Sequence, residues 1–153
     1  MDSKALENYL HEHIPLSKAM GVTVRSVSGE SVTLAAPLAL NINHRETVFG
    51  GSASALAILA AWSLLYVRLQ AEGMGKRIVI HSNTVEYTKP ILGDFRAVAL
   101  PPDEAAWKKL LAAPRRNRMA RITVRSRFEC SGTDVGGFEG EFVVLPMADR
   151  GNY

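Results

Sequence analysis

The chain has 153 residues, of which 47% are hydrophobic and 22% charged. This balance indicates one globular domain over residues 1–153 and excludes a disordered chain. Cys130 is the only cysteine, so an intrachain disulfide framework and a CxxC-type metal site are excluded. The net charge of +3 is too small to indicate nucleic acid binding by itself. The first ten residues mix charges without an apolar core, so we expect no signal peptide and a cytoplasmic protein.

An uncharged run between Glu46 and Arg68 has about the length of a transmembrane helix. It begins with Gly50 and Gly51, however, and is rich in alanine and serine, which contribute little to the free energy of transfer into lipid. We therefore expect a helix buried on all sides inside a soluble protein and not a membrane span.

The first half of the chain predicts a helix, a β-hairpin and a long helix. Residues 2–13 carry an apolar stripe and precede Pro15, which should end the first helix. Two β-rich segments flank Gly29 and predict the hairpin. The predicted bounds are a helix at 2–13, strands at 22–27 and 31–36, a loop at 37–50 and a helix at 51–71.

The second half predicts four strands and a short helix. Residues 118–130 alternate between arginine-rich and less polar positions, which indicates a strand with one buried face. Glu139 and Glu141 are placed to face these arginines from the next strand. The predicted bounds are strands at 78–88, 93–100, 118–130 and 135–145, with a helix at 103–113. The order favours an α+β fold in which a curved, largely antiparallel sheet wraps around the long helix.

Three segments, in this order, resemble the hotdog-fold thioesterases. They read HIPLSKAMGVTV, NHRETVFGGS and VEYTKPILGDFRA, and the closest resemblance is to the thioesterase domain at the C-terminus of YiiD-type proteins. The resemblance implies a hotdog fold and a homodimer, with tetramers in some relatives. It also implies that acyl thioesters of coenzyme A or acyl carrier protein are hydrolysed at the dimer interface. We expect no metal and no redox cofactor.

Gly50 and Gly51 are the predicted oxyanion site. Backbone amides at a helix N-terminus can stabilise the negative charge that develops when water attacks a thioester carbonyl, and glycine lets the carbonyl approach. The alternative is that the glycines serve only a tight turn or close packing. Asn43 matches a family residue that orients water or substrate, while an Asx-turn is the alternative.

The resemblance does not identify a general base, because the chain departs from the family pattern at two positions. Ile58 stands where many relatives have an acidic residue, and Phe49 stands where others have histidine. Glu46, where relatives often have glycine, is the nearest carboxylate that could activate water. The alternative is a surface residue paired with Arg45 or another basic residue. His44 is a further candidate base and a predicted substrate contact.

The strand at 78–88 has an unusually polar centre. His81 and Asn83 are expected on one face and Ser82 and Thr84 on the other, either lining the site or making interface hydrogen bonds. Ser52, on the first turn of the long helix, is a further predicted substrate contact.

Residues 108–127 are strongly basic. Three of the arginines, Arg115, Arg116 and Arg118, are predicted to attract the phosphates of coenzyme A or an acidic carrier protein. The alternative is a solvated strand face paired with Glu139 and Glu141. Nucleic acid is disfavoured, because few aromatic residues are interspersed.

Two other functions stay open at this point. The missing acid at Ile58 favours a non-catalytic protein that binds acyl-CoA or acyl carrier protein. A dehydratase of 3-hydroxyacyl thioesters would need a histidine paired with an acid, and the sequence shows no strong pair.

Overall fold

The structure is a computed structural model that describes residues 1–75, 77–115 and 118–146, with only the backbone described at residues 114 and 115. The predicted helices and strands are confirmed, with each bound within two residues of the prediction. The elements are α1 (Ser3–His13), α2 (Pro15–Ala19), β1 (Thr23–Val27), β2 (Val32–Ala36), α3 (Gly50–Ala71), β3 (Ile78–Tyr87), β4 (Phe95–Ala99), α4 (Glu104–Arg115), β5 (Ala120–Cys130) and β6 (Thr133–Val144).

The short helix α2 was not predicted. Pro15 does stop α1, as expected, but it also occupies the first position of α2. A proline is compatible with that position because the first amides of a helix have no intrahelical acceptor, so its missing N–H costs little.

The strands of the described residues form one sheet in the order β1-β2-β4-β5-β6-β3. Every neighbouring pair is antiparallel, which confirms the predicted α+β arrangement. Because β6 separates β3 from β5, the ten-residue strand β3 lies at one edge of the sheet and β1 lies at the other.

Helix α3 packs against the sheet and forms the centre of the hydrophobic core. Eleven of its 22 residues are buried, and it contacts all strands from β2 to β6. By length and composition alone α3 could cross a membrane. Its burial among the strands identifies it instead as the core helix of the fold, but the other half of its residues are partly buried or exposed, so the expected burial on all sides is not met.

The two faces of β5 differ as the alternation predicts. Ile122, Val124 and Phe128 are buried on the side of α3. On the opposite face, Arg125 Nε lies 2.8 Å from Glu139 Oε2, and Arg121 Nη1 lies 3.3 Å from Glu141 Oε1. The predicted pairing of the two glutamates with arginines of the neighbouring strand is confirmed.

Candidate active site at the start of the long helix

The loop that connects β2 to α3 is anchored from within the protein. Asn41 is buried, and its Nδ2 donates to the carbonyls of Met20 at 2.9 Å and Pro37 at 2.8 Å. The backbone carbonyl of Asn41 accepts from the amide of Phe49 at 2.7 Å. Asn41 therefore fixes the residue that directly precedes the helix, which lets the loop residues hold a defined position.

Asn43 organises the tip of this loop. Its Oδ1 accepts from the amides of Arg45 at 2.9 Å and Thr47 at 3.2 Å. Its Nδ2 donates to Thr47 Oγ1 at 2.9 Å and to the carbonyl of Val48 at 3.4 Å. The Asx-turn alternative is therefore present in the structure. With both amide hydrogens and the oxygen engaged, Asn43 would influence catalysis through the position of the loop.

Glu46 has a backbone conformation that glycine favours. Its φ of 63° lies in the left-handed region, which costs about 1–2 kcal/mol for a residue with a Cβ. Its side chain is exposed, and within the described part of the chain no cation lies in ion-pair distance of it. The predicted alternative of a pair with Arg45 is not seen. Residues with a Cβ at such strained backbone positions cluster at functional sites, so the geometry makes Glu46 a candidate site residue.

The first amides of α3 are available to a ligand. The helix begins at Gly50, and its cap residue, Phe49, makes no side-chain hydrogen bond to the helix. The carbonyl of Phe49 accepts from Ser52 N at 2.9 Å and Ala53 N at 3.2 Å. No acceptor among the described residues takes the amides of Gly50 or Gly51. Two free donors thus stand at the positive end of a 22-residue helix.

Close packing also favours glycine at both positions. A Cβ on Gly51 would overlap the ring of Phe49, and a Cβ on Gly50 would lie 3.3 Å from Tyr87 Oη. The two predicted interpretations, close packing and an oxyanion site, are therefore compatible, since the same lack of a Cβ serves both.

Tyr87 is a site residue that the sequence analysis missed. Its phenol donates to the carbonyl of Gly50 at 2.6 Å, and its ring stacks on Phe128 with centroids 6.3 Å apart. Partial burial raises the pKa of the Tyr87 phenol, so the group remains a donor at neutral pH. In the sequence Tyr87 stands out only as part of a segment that resembles the family, because nothing local places it beside a residue 37 positions earlier.

The predicted alternation of β3 is wrong at His81. A β-bulge between Ile80 and Ser82 shifts the register, and His81 Nε2 lies 3.9 Å from Glu141 Oε1, the carboxylate that also binds Arg121. Asn83 lies opposite Gly140 and shares a face of β3 with Tyr87. His81 and Asn83 are therefore not neighbours on one face, and Asn83 is the one on the side of the helix.

Of the remaining residues singled out in the sequence, two lie beside the glycines and one lies further along the helix. His44 is exposed in the loop, and Ser52 is half-buried on the first turn of α3, so both lie beside the glycines in the chain. Ile58 is half-buried further along the helix. No group of three His, Cys, Asp or Glu side chains that could hold a metal ion occurs in the parts of the chain that the structure describes.

Arg118 lies at the end of the sheet opposite to Tyr87. Arg118 is exposed and precedes β5, whose first residue lies opposite Val144 and hence beside Ile78. Phe128, next to Tyr87, is ten residues further along, which corresponds to about 33 Å of extended chain. Arg116 and the side chain of Arg115 lie outside the described residues.

Comparison with known proteins identifies the family. The sequence matches the family model described as "Putative thioesterase (yiiD_Cterm)" over residues 3–146. A solved structure from Shewanella oneidensis, described as a putative thioesterase, is 26% identical with a TM-score of 0.83 and covers 94% of this chain and 97% of that chain. A protein of unknown function from Chlorobaculum tepidum is 29% identical with a TM-score of 0.88, covering 94% of each chain.

A more distant structure supports the fold alone. The thioesterase from Haemophilus influenzae is 10% identical, with a TM-score of 0.78 over 99% of this chain and 96% of that chain. The family match spans nearly all the described residues. The chain therefore has the hotdog fold and belongs to the YiiD C-terminal family of thioesterases.

Proposed function

We propose that this protein acts in the cytoplasm and hydrolyses acyl thioesters of coenzyme A or acyl carrier protein, with the acyl oxygen bound at the amides of Gly50 and Gly51. Membership of the family supports thioester hydrolysis in general. The observation that carries the site assignment is the pair of uncommitted amides at the start of α3. Such donors are worth most where negative charge develops in the transition state.

The chemical step uses water as the nucleophile. Its oxygen bonds to the carbonyl carbon while its proton passes to a base, and the carbonyl oxygen becomes an oxyanion held by the two amides and the helix dipole. When the tetrahedral intermediate collapses, the carbon–sulfur bond breaks. The thiolate leaves with the bonding electron pair and is then protonated, which gives the free acid and the thiol.

Glu46 is the proposed base. It lies four residues before Gly50, in the loop that Asn43 holds in shape, and its carboxylate has no cationic partner among the described residues. The strained φ of 63° supports this role, because a glycine would be more stable there. His44, exposed in the same loop, is the second candidate base.

A non-catalytic acyl-thioester binding protein is the second candidate function. Ile58 favours it, because the helix carries no carboxylate between Ala53 and Val67 that could activate water. The two functions differ in whether thiol is released.

The first test measures thiol release from acyl-CoA substrates of increasing chain length, for the wild type and for Glu46→Gln. Wild-type protein should turn over, and Glu46→Gln should lower kcat by about two to four powers of ten, since general base catalysis contributes that much. Glu30→Gln is the matched control, an exposed glutamate in the β1–β2 turn. Tight binding without release by the wild type would contradict hydrolysis and support the binding protein.

Glu46→Gly separates catalysis from stability in the same experiment. Removing the Cβ relieves the positive φ, so this variant should unfold at the same or a higher temperature than the wild type. It should nevertheless hydrolyse as slowly as Glu46→Gln. An unchanged kcat in both variants would assign the base to His44 or to another group.

We further propose that two chains pair through β3 to form a dimer. This edge strand pairs only with β6 among the described residues, and its centre, His81 to Thr84, is largely exposed on both faces. Val79 is 50% exposed, and the neighbouring helix residues Ile58 and Trp62 are only partly buried. Light scattering at micromolar concentration should therefore give a multiple of the chain mass; a stable monomer would contradict the pairing.

Dimer formation would give the arginines a route to the site. Antiparallel pairing of two β3 strands sets the Ile78 end of one chain beside the Tyr87 end of its partner. Arg118, about 33 Å from Phe128 within one chain, would then approach the partner's helix start. The ion pairs of Arg121 and Arg125 with glutamates support the solvated-face alternative for β5 itself.

If Arg115, Arg116 and Arg118 attract the phosphates, the KM for acyl-CoA should rise with salt while kcat changes little. The Debye length falls from about 10 Å at 0.1 M to about 3 Å at 1 M, which screens such attraction. The triple serine variant should flatten the salt dependence, and Arg121→Ser, at an arginine already paired, is the control. If the triple variant keeps the wild-type KM and the wild-type dependence of KM on salt, these arginines have no role in substrate binding.

A further inference from the structure

The hydrogen bond from Tyr87 acts on the peptide unit that contains one of the two candidate oxyanion donors. The carbonyl of Gly50 and the amide of Gly51 belong to the same peptide unit, and none of the described peptide bonds is cis. In a planar trans peptide the C=O and N–H bonds point in opposite directions. A donor that fixes the Gly50 oxygen, 2.6 Å from Tyr87 Oη, therefore fixes the direction of the Gly51 N–H as well.

Two features leave the Gly50–Gly51 peptide unit with few restraints on its orientation from neighbouring residues in the sequence. It is flanked by two glycines, which restrict backbone rotation less than any other residue. The cap residue, Phe49, makes no side-chain hydrogen bond to the helix. Within α3 the carbonyl of Gly50 accepts the intrahelical bond of the first turn, which restrains this peptide in part. Among the hydrogen bonds of the described side chains, Tyr87 supplies the one to this carbonyl and so adds a tertiary restraint on the tilt of the Gly50–Gly51 peptide.

Tyr87 is half-exposed and is positioned by contacts with two neighbouring residues. Its ring stacks on Phe128, which is fully buried, with an interplanar angle of 13°. It pairs across the sheet with Gly136, where any Cβ would clash with the carbonyl of Glu86, so β3 and β6 approach closely at this point. The phenol is therefore positioned by the β5–β6 hairpin, which is independent of the loop that carries Asn43 and Glu46.

We propose that Tyr87 is a positioning residue of the active site, whose phenol orients the Gly50–Gly51 peptide so that the Gly51 N–H is directed at the acyl oxygen. This inference rests on the proposed thioester hydrolysis and assigns Tyr87 no contact with the substrate. Hydrogen bonds in a chain also polarise one another, so a donor on the Gly50 carbonyl makes the Gly51 N–H a stronger donor. Tyr87 would thus act on both the direction and the strength of one oxyanion contact.

The test is Tyr87→Phe, which keeps the ring on Phe128 and removes only the hydroxyl. Because the Gly51 amide remains present but less well oriented, kcat for acyl-CoA hydrolysis should fall by about ten- to a hundredfold, less than the hundred- to thousandfold typical of a lost oxyanion donor. The KM should stay within about twofold, because the contact strengthens in the transition state and contributes little to ground-state binding. All rates are measured well below the lowest unfolding midpoint, so that every variant is folded.

Tyr66→Phe is the matched control. Tyr66 is a buried tyrosine on α3, about four turns beyond Gly50, within an aromatic cluster with Tyr9 and Trp62. A general loosening of the helix should affect both variants alike, whereas the proposed role predicts a loss of kcat in Tyr87→Phe alone.

The possible failures can be told apart. A Tyr87→Phe variant with wild-type kcat, in a wild type that hydrolyses thioesters, overturns the positioning role and leaves the proposed function intact. A raised KM with unchanged kcat overturns it too, since that pattern indicates ground-state binding. Absence of hydrolysis by the wild type overturns the proposed function and this inference together.

Discussion

The burial of α3 is the constraint on which the rest of the structure depends. The helix carries no charged side chain between its start at Gly50 and Arg68, so it has no polar face to present to water. A sheet that packs around it, with α1 completing the core through Leu6 and Leu10, removes most of that surface from solvent. The partly buried side, near Ile58 and Trp62, faces the strand β3, where the proposed partner would complete the cover.

Burying the helix in this way also determines where chemistry can occur. A helix start enclosed by its neighbours usually satisfies its first amides with a side-chain cap. Here Phe49 provides no side-chain cap, and no other described residue accepts from the amides of Gly50 and Gly51. The positive end of the helix dipole therefore lies beside Tyr87, at the end of the loop that carries Glu46. We regard this uncapped start as the property that the proposed reaction uses.

The sequence predicts the fold well because its signals are local. The uncharged run, the alternation of residues 118–130 and the prolines mark the elements directly, and the glycines mark the helix start. What it misses depends on contacts distant in sequence. The bulge that turns His81 towards Glu141 depends on pairing with β6, and the bond from Tyr87 joins residues 37 positions apart. The residue type of Asn43 is compatible with either predicted role, and only the loop geometry shows that its side chain makes the bonds of the Asx-turn alternative.

The most direct test of the central claim observes the amides of Gly50 and Gly51 while a ligand binds. The chain has 12 glycines, so selective ¹⁵N-glycine labelling gives a simple amide spectrum. The titrant is an acyl-CoA analogue in which a methylene group replaces the sulfur, which keeps the carbonyl but cannot be hydrolysed. The account predicts that the proton signals of Gly50 and Gly51 move downfield on saturation, while those of the turn residues Gly29 and Gly132 stay in place. Saturable binding that leaves the Gly50 and Gly51 signals unchanged would contradict it.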